Sequence, residues 1–244
     1  MNESLYIAAS GMTAVQRMLD SATHNTVNAQ TPGYQKHEMV LKNFDAFLGD
    51  AGKRGGLIGS EERIAFSQGQ LRNSDNPLAL ALNGDGFLVV SPPNHPGEVF
   101  FTRNGDLSVN PDGELVTRAG YNVLDDAEEP IKVDPVNGPV FYSENGDVVQ
   151  GGEPLSRLQV VEFTTEERSK LTAVGETLFR SAENYRPPLT EGDTVVKHGL
   201  LEFPKDAGVK GLINMLMANK NYEAMQKAIR SLDSVNENLL RNSQ

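Results

Sequence analysis

The chain has 244 residues, a net charge of −11, 38% hydrophobic residues and no cysteine. That length supplies core for one large domain or two smaller ones, and the acidic balance, with a sequence pI near 4.9, lacks the basic footprint of a nucleic-acid binder. Without cysteine there are no disulfides, thiolate metal sites or thiol nucleophiles, and no apolar run approaches the ~20 residues of a bilayer-spanning helix, so membrane insertion is not expected.

The opening stretch, MNESLYIAASGMTAVQRMLD, has neither the basic start nor the continuous apolar run of a cleavable secretory signal. It reads as a helix over about 5–27. Leu5, Ala8, Met12, Val15, Leu19, Ala22 and Thr26 recur at alternating spacings of three and four, the narrow seam that a coiled coil buries. Gly11 lies among Ala8, Ala9 and Ser10, either for close approach of a neighbouring backbone or as a tolerated surface glycine. The end of this helix is rich in amides. Asn25 and Asn28 can cap nearby main-chain groups or bond to another chain. Thr31-Pro32-Gly33 then stops the helix, since proline pushes its predecessor out of the α region and glycine accepts the positive φ of a turn. Thr31, Pro32, Gly33 and Tyr34 are therefore the expected domain junction.

Beyond the junction, four glycines between Ala46 and Gly59 predict a flexible loop near 46–60. From about Leu78 to Phe203 short β-type runs alternate with turn dipeptides. The runs are Phe87–Val90, Val99–Thr102, Glu114–Thr117, Ile131–Val133, Leu158–Phe163 and Thr194–Val196. Asn83-Gly84, Asp85-Gly86, Asn104-Gly105, Asp112-Gly113, Asn137-Gly138 and Asn145-Gly146 are residue pairs that supply positive φ in tight turns. No long helical pattern intervenes, so the strands should be mostly antiparallel.

All 13 prolines lie between Pro32 and Pro204, and outside the span from Gly33 to Gly199 the only glycines are Gly11, Gly208 and Gly211. Proline and glycine both disfavour helix interiors, so their segregation leaves a second uninterrupted helix at about 209–240. Met215, Ala218, Tyr222, Met225, Ile229, Leu232, Asn236 and Leu239 form its seam. Asn236 either fixes register as a buried polar seam residue or lies exposed in the last turn. The expected fold is α+β. An all-β central domain spans 35–204, and a coiled-coil-like helical assembly domain is built from 1–34 and 205–244. The apolar stripes need a partner, which points to assembly rather than chemistry.

Chemical motifs fail on inspection. His37-Glu38 begins a zincin pattern, but Leu41 stands where the second histidine belongs. Gly84-Asp85-Gly86 lacks the third glycine and the helix of a dinucleotide fingerprint. Asn110-Pro111-Asp112-Gly113, aligned as a calcium loop, puts Ser108 at the first ligand position and Ala119 at the bidentate glutamate. The carboxylate pairs Glu61-Glu62, Asp125-Asp126 and Glu128-Glu129 read as solvated loops. The chain is therefore expected to have no catalytic, cofactor-binding or metal site and to require no cofactor.

Several segments, in order along nearly the whole chain, resemble the axial proteins of the bacterial flagellum, the rod and hook subunits. The amide-rich helix end and Thr31-Pro32-Gly33-Tyr34 are similar to that family's N-terminal A-N-N-x-A-N-x-x-T-x-G-Y/F. Asn76-Pro-Leu-Ala-Leu-Ala-Leu-Asn-Gly-Asp-Gly-Phe87 resembles P-L-D-x-A-I-x-G-x-G-F-F. Phe101-Thr-Arg-Asn-Gly-Asp-Leu-Ser-Val109, Asp112-Gly-Glu-Leu-Val-Thr117 and Gly120-Tyr-Asn-Val-Leu124 follow its Y-T-R-x-G-x-F and G-x-L-V segments. Tyr222-Glu-Ala-Met-Gln-Lys-Ala-Ile-Arg-Ser-Leu-Asp233 is similar to Y-E-A-N-x-K-x-I-x-x-x-D. Phe203-Pro204, Lys220-Asn221 and Met225 depart from the family pattern in the assembly elements.

The chain has no room for the hook subunits' extra domain, and the stretch from Tyr34 to Gly69 is shorter than in distal-rod subunits. The resemblance thus points to the proximal-rod branch, with the distal-rod branch as the near alternative. It implies a structural, non-enzymatic subunit that assembles head-to-tail with copies of itself and other rod subunits. It also implies passage through the flagellar export apparatus without signal cleavage, and residence in the basal body in the periplasmic zone. A chain exported unfolded also gains from lacking cysteine. A different class of function is a β-domain glycan-binding or peptidoglycan-acting module that oligomerises through its helices. The absence of tryptophan weakens a sugar-stacking platform for it.

Overall fold

The segregation of proline and glycine shows directly in the backbone. In the computed structural model, described over residues 2–43, 58–95, 97–134, 136–181, 185, 187, 193–205 and 209–241, helix α1 runs Asn2–Val27 and helix α3 runs Val209–Arg241. Among the described residues between them lie seventeen short strands, a 3-10 turn at Asn28–Gln30 and a short helix, α2, at Thr165–Arg168, an α+β chain dominated by sheet. Residues 44–57, most of the expected flexible loop, lie outside the described residues. Ile58, Gly59 and Ser60 are strand.

The chain divides into two compact units. Unit 1 comprises Met1–Val27, Lys36–Ala65 and Asp206–Gln244. Within it α1 packs against α3, and it also meets strands β1 (Lys36–Asn43) and β2 (Ile58–Ala65). These two strands pair antiparallel from Lys36↔Ala65 to Asn43↔Ile58. The division differs from boundaries at 34 and 205: residues 36–65 go with the helices, and residues 28–35 go with the β unit. The hairpin is drawn to α1 because each of its strands pairs only with the other, while polar side chains of α1 bond to its backbone.

Unit 2 comprises Asn28–Gln35 and Phe66–Lys205. Its strands in chain order are β3 (Gln70–Asn73), β4 (Leu80–Asn83), β5 (Gly86–Ser91), β6 (Phe100–Thr102), β7 (Leu107–Val109), β8 (Leu115–Thr117), β9 (Asn122–Val123), β10 (Val140–Tyr142), β11 (Asp147–Gln150), β12 (Glu153–Arg157), β13 (Val160–Glu162), β14 (Thr172–Ala173), β15 (Leu178–Arg180), β16 (Val195–His198) and β17 (Leu200–Phe203). The main sheet runs β14-β15-β6-β5-β9-β8-β7, with β13 also on β5. A three-stranded sheet β10-β11-β12 and the ribbons β16-β4 and β17-β3 complete it. Every pairing among the named strands is antiparallel.

Strand β5 is buried along its whole length, so both of its faces carry apolar side chains. Leu88 and Val90 join Leu80, Leu82, Leu107, Leu115, Val123 and Ile131 in the main core. Phe87 points the other way, into edge-to-face contact with Phe66, Phe163 and Phe179 at ring separations of 5.6, 5.6 and 6.0 Å. Such geometry adds about 0.5–1.5 kcal/mol per pair beyond burial.

Two glycines read as turn formers have another role. Gly84, Gly113, Gly138 and Gly146 have positive φ, but Gly86 and Gly105 do not. A Cβ on Gly105 would lie 1.9 Å from the Leu80 carbonyl oxygen, and one on Gly86 would lie 2.8 Å from Thr194 and Val160 side-chain carbons. Close approach, rather than turn geometry, requires glycine there. Ile131–Val133 forms isolated bridges and hydrogen bonds rather than a strand. Helix α2 was not expected, although its capping box is visible in sequence. Thr164 accepts from the Glu167 amide while the Glu167 carboxylate accepts from the Thr164 amide.

Candidate assembly surface and chain junction

Along α1 the deepest line in unit 1 runs through Gly11, Ala14, Ser21 and Ala22, with Met18 and Asn25 half-buried. It lies one residue N-terminal to the expected seam, of which Met12, Val15 and Leu19 are half-buried and Ala22 is buried. Small side chains carry the contact because they let backbones approach. Gly11 is buried, which favours close approach over a surface glycine. On α3 the same logic holds at Gly211, where a Cβ would meet Thr26 Oγ1 at 2.9 Å. The expected α3 seam is placed with Ala218 buried and Met215, Tyr222, Met225 and Ile229 half-buried. The side chains of Leu5, Ala8, Leu232, Asn236 and Leu239 lie outside the described residues.

A second apolar line on α3 escaped the heptad reading. Leu212, Ile213, Leu216 and Met217 are 45–63% exposed. Their spacing of i, i+1, i+4 and i+5 is itself an amphipathic signal. Beside them, Met18, Asn25, Lys36, His37, Met39, Asn214 and Met217 help line a crevice in unit 1 of about 460 Å³. Its lining mixes amides, thioethers and a few charges.

Asn25 has a definite partner. Its Nδ2 donates to the His37 carbonyl at 2.7 Å, and its Oδ1 accepts from the His37 amide at 2.9 Å. The side-chain amide thus imitates a strand neighbour for β1. Ser21 Oγ donates to the same carbonyl at 2.9 Å, and His37 Nδ1 lies 2.9 Å from Glu62 Oε1 on β2. The amide-rich helix end therefore pins the hairpin to α1 within one chain. Asn25→Ala should cost about 1–3 kcal/mol through two lost bonds to a part-buried peptide. Faster amide exchange at His37 would show it, and unchanged exchange there would rule out the clamp.

Asn28 serves unit 2 instead. Its Nδ2 donates to Glu176 at 2.6 Å and its Oδ1 accepts from Thr31 Oγ1 at 3.0 Å. Thr31–Tyr34 form the turn that the sequence suggested: the Tyr34 amide donates to the Thr31 carbonyl at 3.3 Å. Pro32 presets the second position and Gly33, with φ of +72°, supplies the third, the type II pattern. Tyr34 is buried.

Around this turn lies a buried ion pair that sequence reasoning missed. Arg103 and Glu202 are 2% and 1% exposed, with Nε to Oε2 at 2.9 Å. The Glu202 carbonyl accepts from the Gly33 amide at 2.8 Å, and its Oε1 accepts from the Gly69 amide at 2.5 Å. Arg103 Nη2 donates to Gln68 Oε1 at 3.1 Å and to the Gly84 carbonyl at 2.7 Å, with its guanidinium 5.6 Å from the Phe87 ring centre. Gln35 Oε1 accepts from the Ser67 amide at 3.3 Å. All these residues belong to unit 2.

Acids beside the turn glycines hold turns and loops. Asp106 accepts from Asn76 and Arg118 at 2.9 and 3.0 Å, and Asp147 accepts from Ser143 at 2.9 Å. The Arg168 hydrogen bond holds the Asp85 carboxyl below the usual carboxylate range. Among the described residues, no three His, Asp or Glu side chains converge to hold a metal ion, and no helix is long and apolar enough to cross a membrane.

Residues 81–150, from within β4 to the end of β11, match the family described as the flagellar hook protein FlgE/F/G D1 domain. The flagellar basal-body rod protein FlgF of Caulobacter vibrioides is 29% identical over 232 residues, covering 93% of this chain and 92% of the relative. FlgF of Mesorhizobium japonicum is 26% identical over 243 residues, covering 99% and 98%. FlgG of Borreliella burgdorferi is 28% identical over 262 residues, covering 96% of each chain. Over nearly its whole length the chain is similar to flagellar basal-body rod proteins.

Charge is divided unevenly between the units. The segments of unit 1 carry eleven of the 22 lysines and arginines and eleven of the 33 aspartates and glutamates, so they are neutral. Unit 2 carries the other eleven basic and 22 acidic residues, the whole net charge of −11.

Proposed function

We propose that this chain is a structural subunit of the bacterial flagellar basal-body rod, in the proximal-rod, FlgF-like position, and that it is not an enzyme. Relatives named as rod proteins span nearly its full length, and this observation carries the reading. The finer placement is supported by length. FlgF relatives align over 232 to 245 positions, whereas FlgG relatives align over 262 to 269, more than the 244 residues of this chain. FlgG-like alignments therefore need far more gap positions in this chain than FlgF-like ones.

Unit 1 is the assembly element in this reading, with the two terminal helices associating as a coiled-coil-like pair and with neighbouring subunits. Its neutral charge lets copies pack without the repulsion that two units of −11 would feel. The expected seam residues, together with the exposed line Leu212, Ile213, Leu216 and Met217, supply the apolar surface. Contacts that repeat head-to-tail without closing give a filament, whose partners are copies of this chain and other rod subunits. The chain reaches the periplasmic zone through the flagellar export apparatus with no signal removed.

The test is a chain lacking 1–27 and 206–244. Removing both helices should leave a cooperative melt of the strand circular-dichroism signal while abolishing co-sedimentation with basal bodies. A truncated chain that still entered basal bodies would sink the assembly role of unit 1.

A further inference from the structure

We propose that the Arg103–Glu202 pair positions, within unit 2, the three stretches through which the chain makes its four passages to unit 1, and that load on the subunit is carried through it. The second half of this proposal rests on the shaft reading above. The chain changes units at 27/28, 35/36, 65/66 and 205/206. Each passage has a residue that bonds to the pair or lies beside one that does. Gly33, following the first, donates to the Glu202 carbonyl. Gln35, at the second, accepts from Ser67, just after the third. Gln68 and Gly69, also after the third, bond to Arg103 and Glu202. Glu202 itself lies in β17, shortly before the fourth, and its neighbour Phe203 pairs with Gln70.

The chemistry chosen for this place argues for positioning rather than simple cohesion. A pair buried this deeply is commonly no more stabilising than apolar side chains of the same volume. What it supplies is direction. Charge-assisted bonds fix angles as well as distances, and here they reach the Gly69 amide from Glu202 and the Gly84 carbonyl from Arg103, joining segments far apart in sequence. The two glycines allow it. A Cβ on Gly33 would lie 2.3 Å from the Asn104 amide nitrogen, and one on Gly69 would lie 2.2 Å from the Phe203 carbonyl oxygen. No side chain stands between these backbones and the pair.

The experiment compares the full chain with the paired replacement Arg103→Met/Glu202→Leu, which keeps apolar volume and removes the side-chain bonds to Gly69, Gln68 and Gly84. It leaves the main-chain carbonyl that Gly33 bonds, so that any change at Gly33 reports lost positioning. Amide exchange should accelerate at least about tenfold at Gly33 and Gly69, while Val89 and Leu115, in the middle of the main sheet, keep their wild-type rates. Equal acceleration at all four, or none at Gly33 and Gly69, would overturn the positioning role. In cells the same variant should rotate at wild-type speed in dilute medium and fall at least about twofold below wild type in viscous medium. Wild-type speed under load would overturn the load path. Absence of the wild-type chain from the rod fraction would instead overturn the shaft reading, whatever the exchange rates.

Discussion

Arg103→Met is expected to destabilise unit 2 by about 3–5 kcal/mol, the cost of leaving one charge of a buried pair without its partner. Methionine fills much of the space against Phe87, so the loss is electrostatic rather than a cavity. Glu202 would keep the Gly69 amide bond yet lose its only ion-pair partner among the described residues. In a unit of this size each kcal/mol moves the midpoint roughly 2–4 °C, so the melt should begin on the order of 10 °C lower. Adding Glu202→Leu removes the stranded charge and should restore more than half of the loss. Denaturant melts of the full chain measure both. A single variant within 1 kcal/mol of wild type would mean that water reaches the pair and the site is not dry.

Gly33→Ala is the second large effect, and its causes are separable. Alanine at φ of +72° costs about 1–2 kcal/mol in the left-handed region. The new methyl must also displace the Arg103–Asn104 backbone, since its carbon would lie 2.3 Å from one atom and 2.4 Å from the next. Backbone cannot swing aside as a flexible side chain can, and overpacking of this kind costs about 1–3 kcal/mol. The total, about 2–5 kcal/mol, should be accompanied by loss of the Gly33–Glu202 bond. Gly113→Ala is the control: its φ is +79° but the only close atom is the Val133 carbonyl oxygen at 3.1 Å. If urea melts gave the two variants equal losses, the steric part of this account would be wrong.

The sequence disclosed these features unevenly. Helices α1 and α3 were legible to within a few residues because proline and glycine avoid them. The position of contact on α1 was not, because a search for apolar periodicity selects Met12, Val15 and Leu19, whereas the line most buried within unit 1 runs through the small residues Gly11, Ala14 and Ser21. The hairpin of Lys36–Asn43 with Ile58–Ala65 carries too many charges to read as strand. It is a strand because Asn25 and Ser21 bond to its backbone, a tertiary cause. Asn25 and Asn28 were recognisable as unusual amides, but choosing between capping and bonding to distant segments required coordinates. The Arg103–Glu202 pair had no signal of its own: 99 residues separate its members, and isolated charges ordinarily read as solvated surface. The resemblance marked Phe101-Thr102-Arg103-Asn104-Gly105 as a motif without explaining its arginine. The partner at Glu202 gives that explanation.

The central claim, a structural part in the rod shaft, is tested most directly by counting this chain in purified basal bodies. Quantitative mass spectrometry against labelled standards should find a small fixed number of copies per basal body in the rod fraction, and a deletion strain should lack everything distal to that point. Detection only as free periplasmic protein, with basal bodies complete without it, would contradict the account. Degradation of peptidoglycan by that free protein would place it in another functional class.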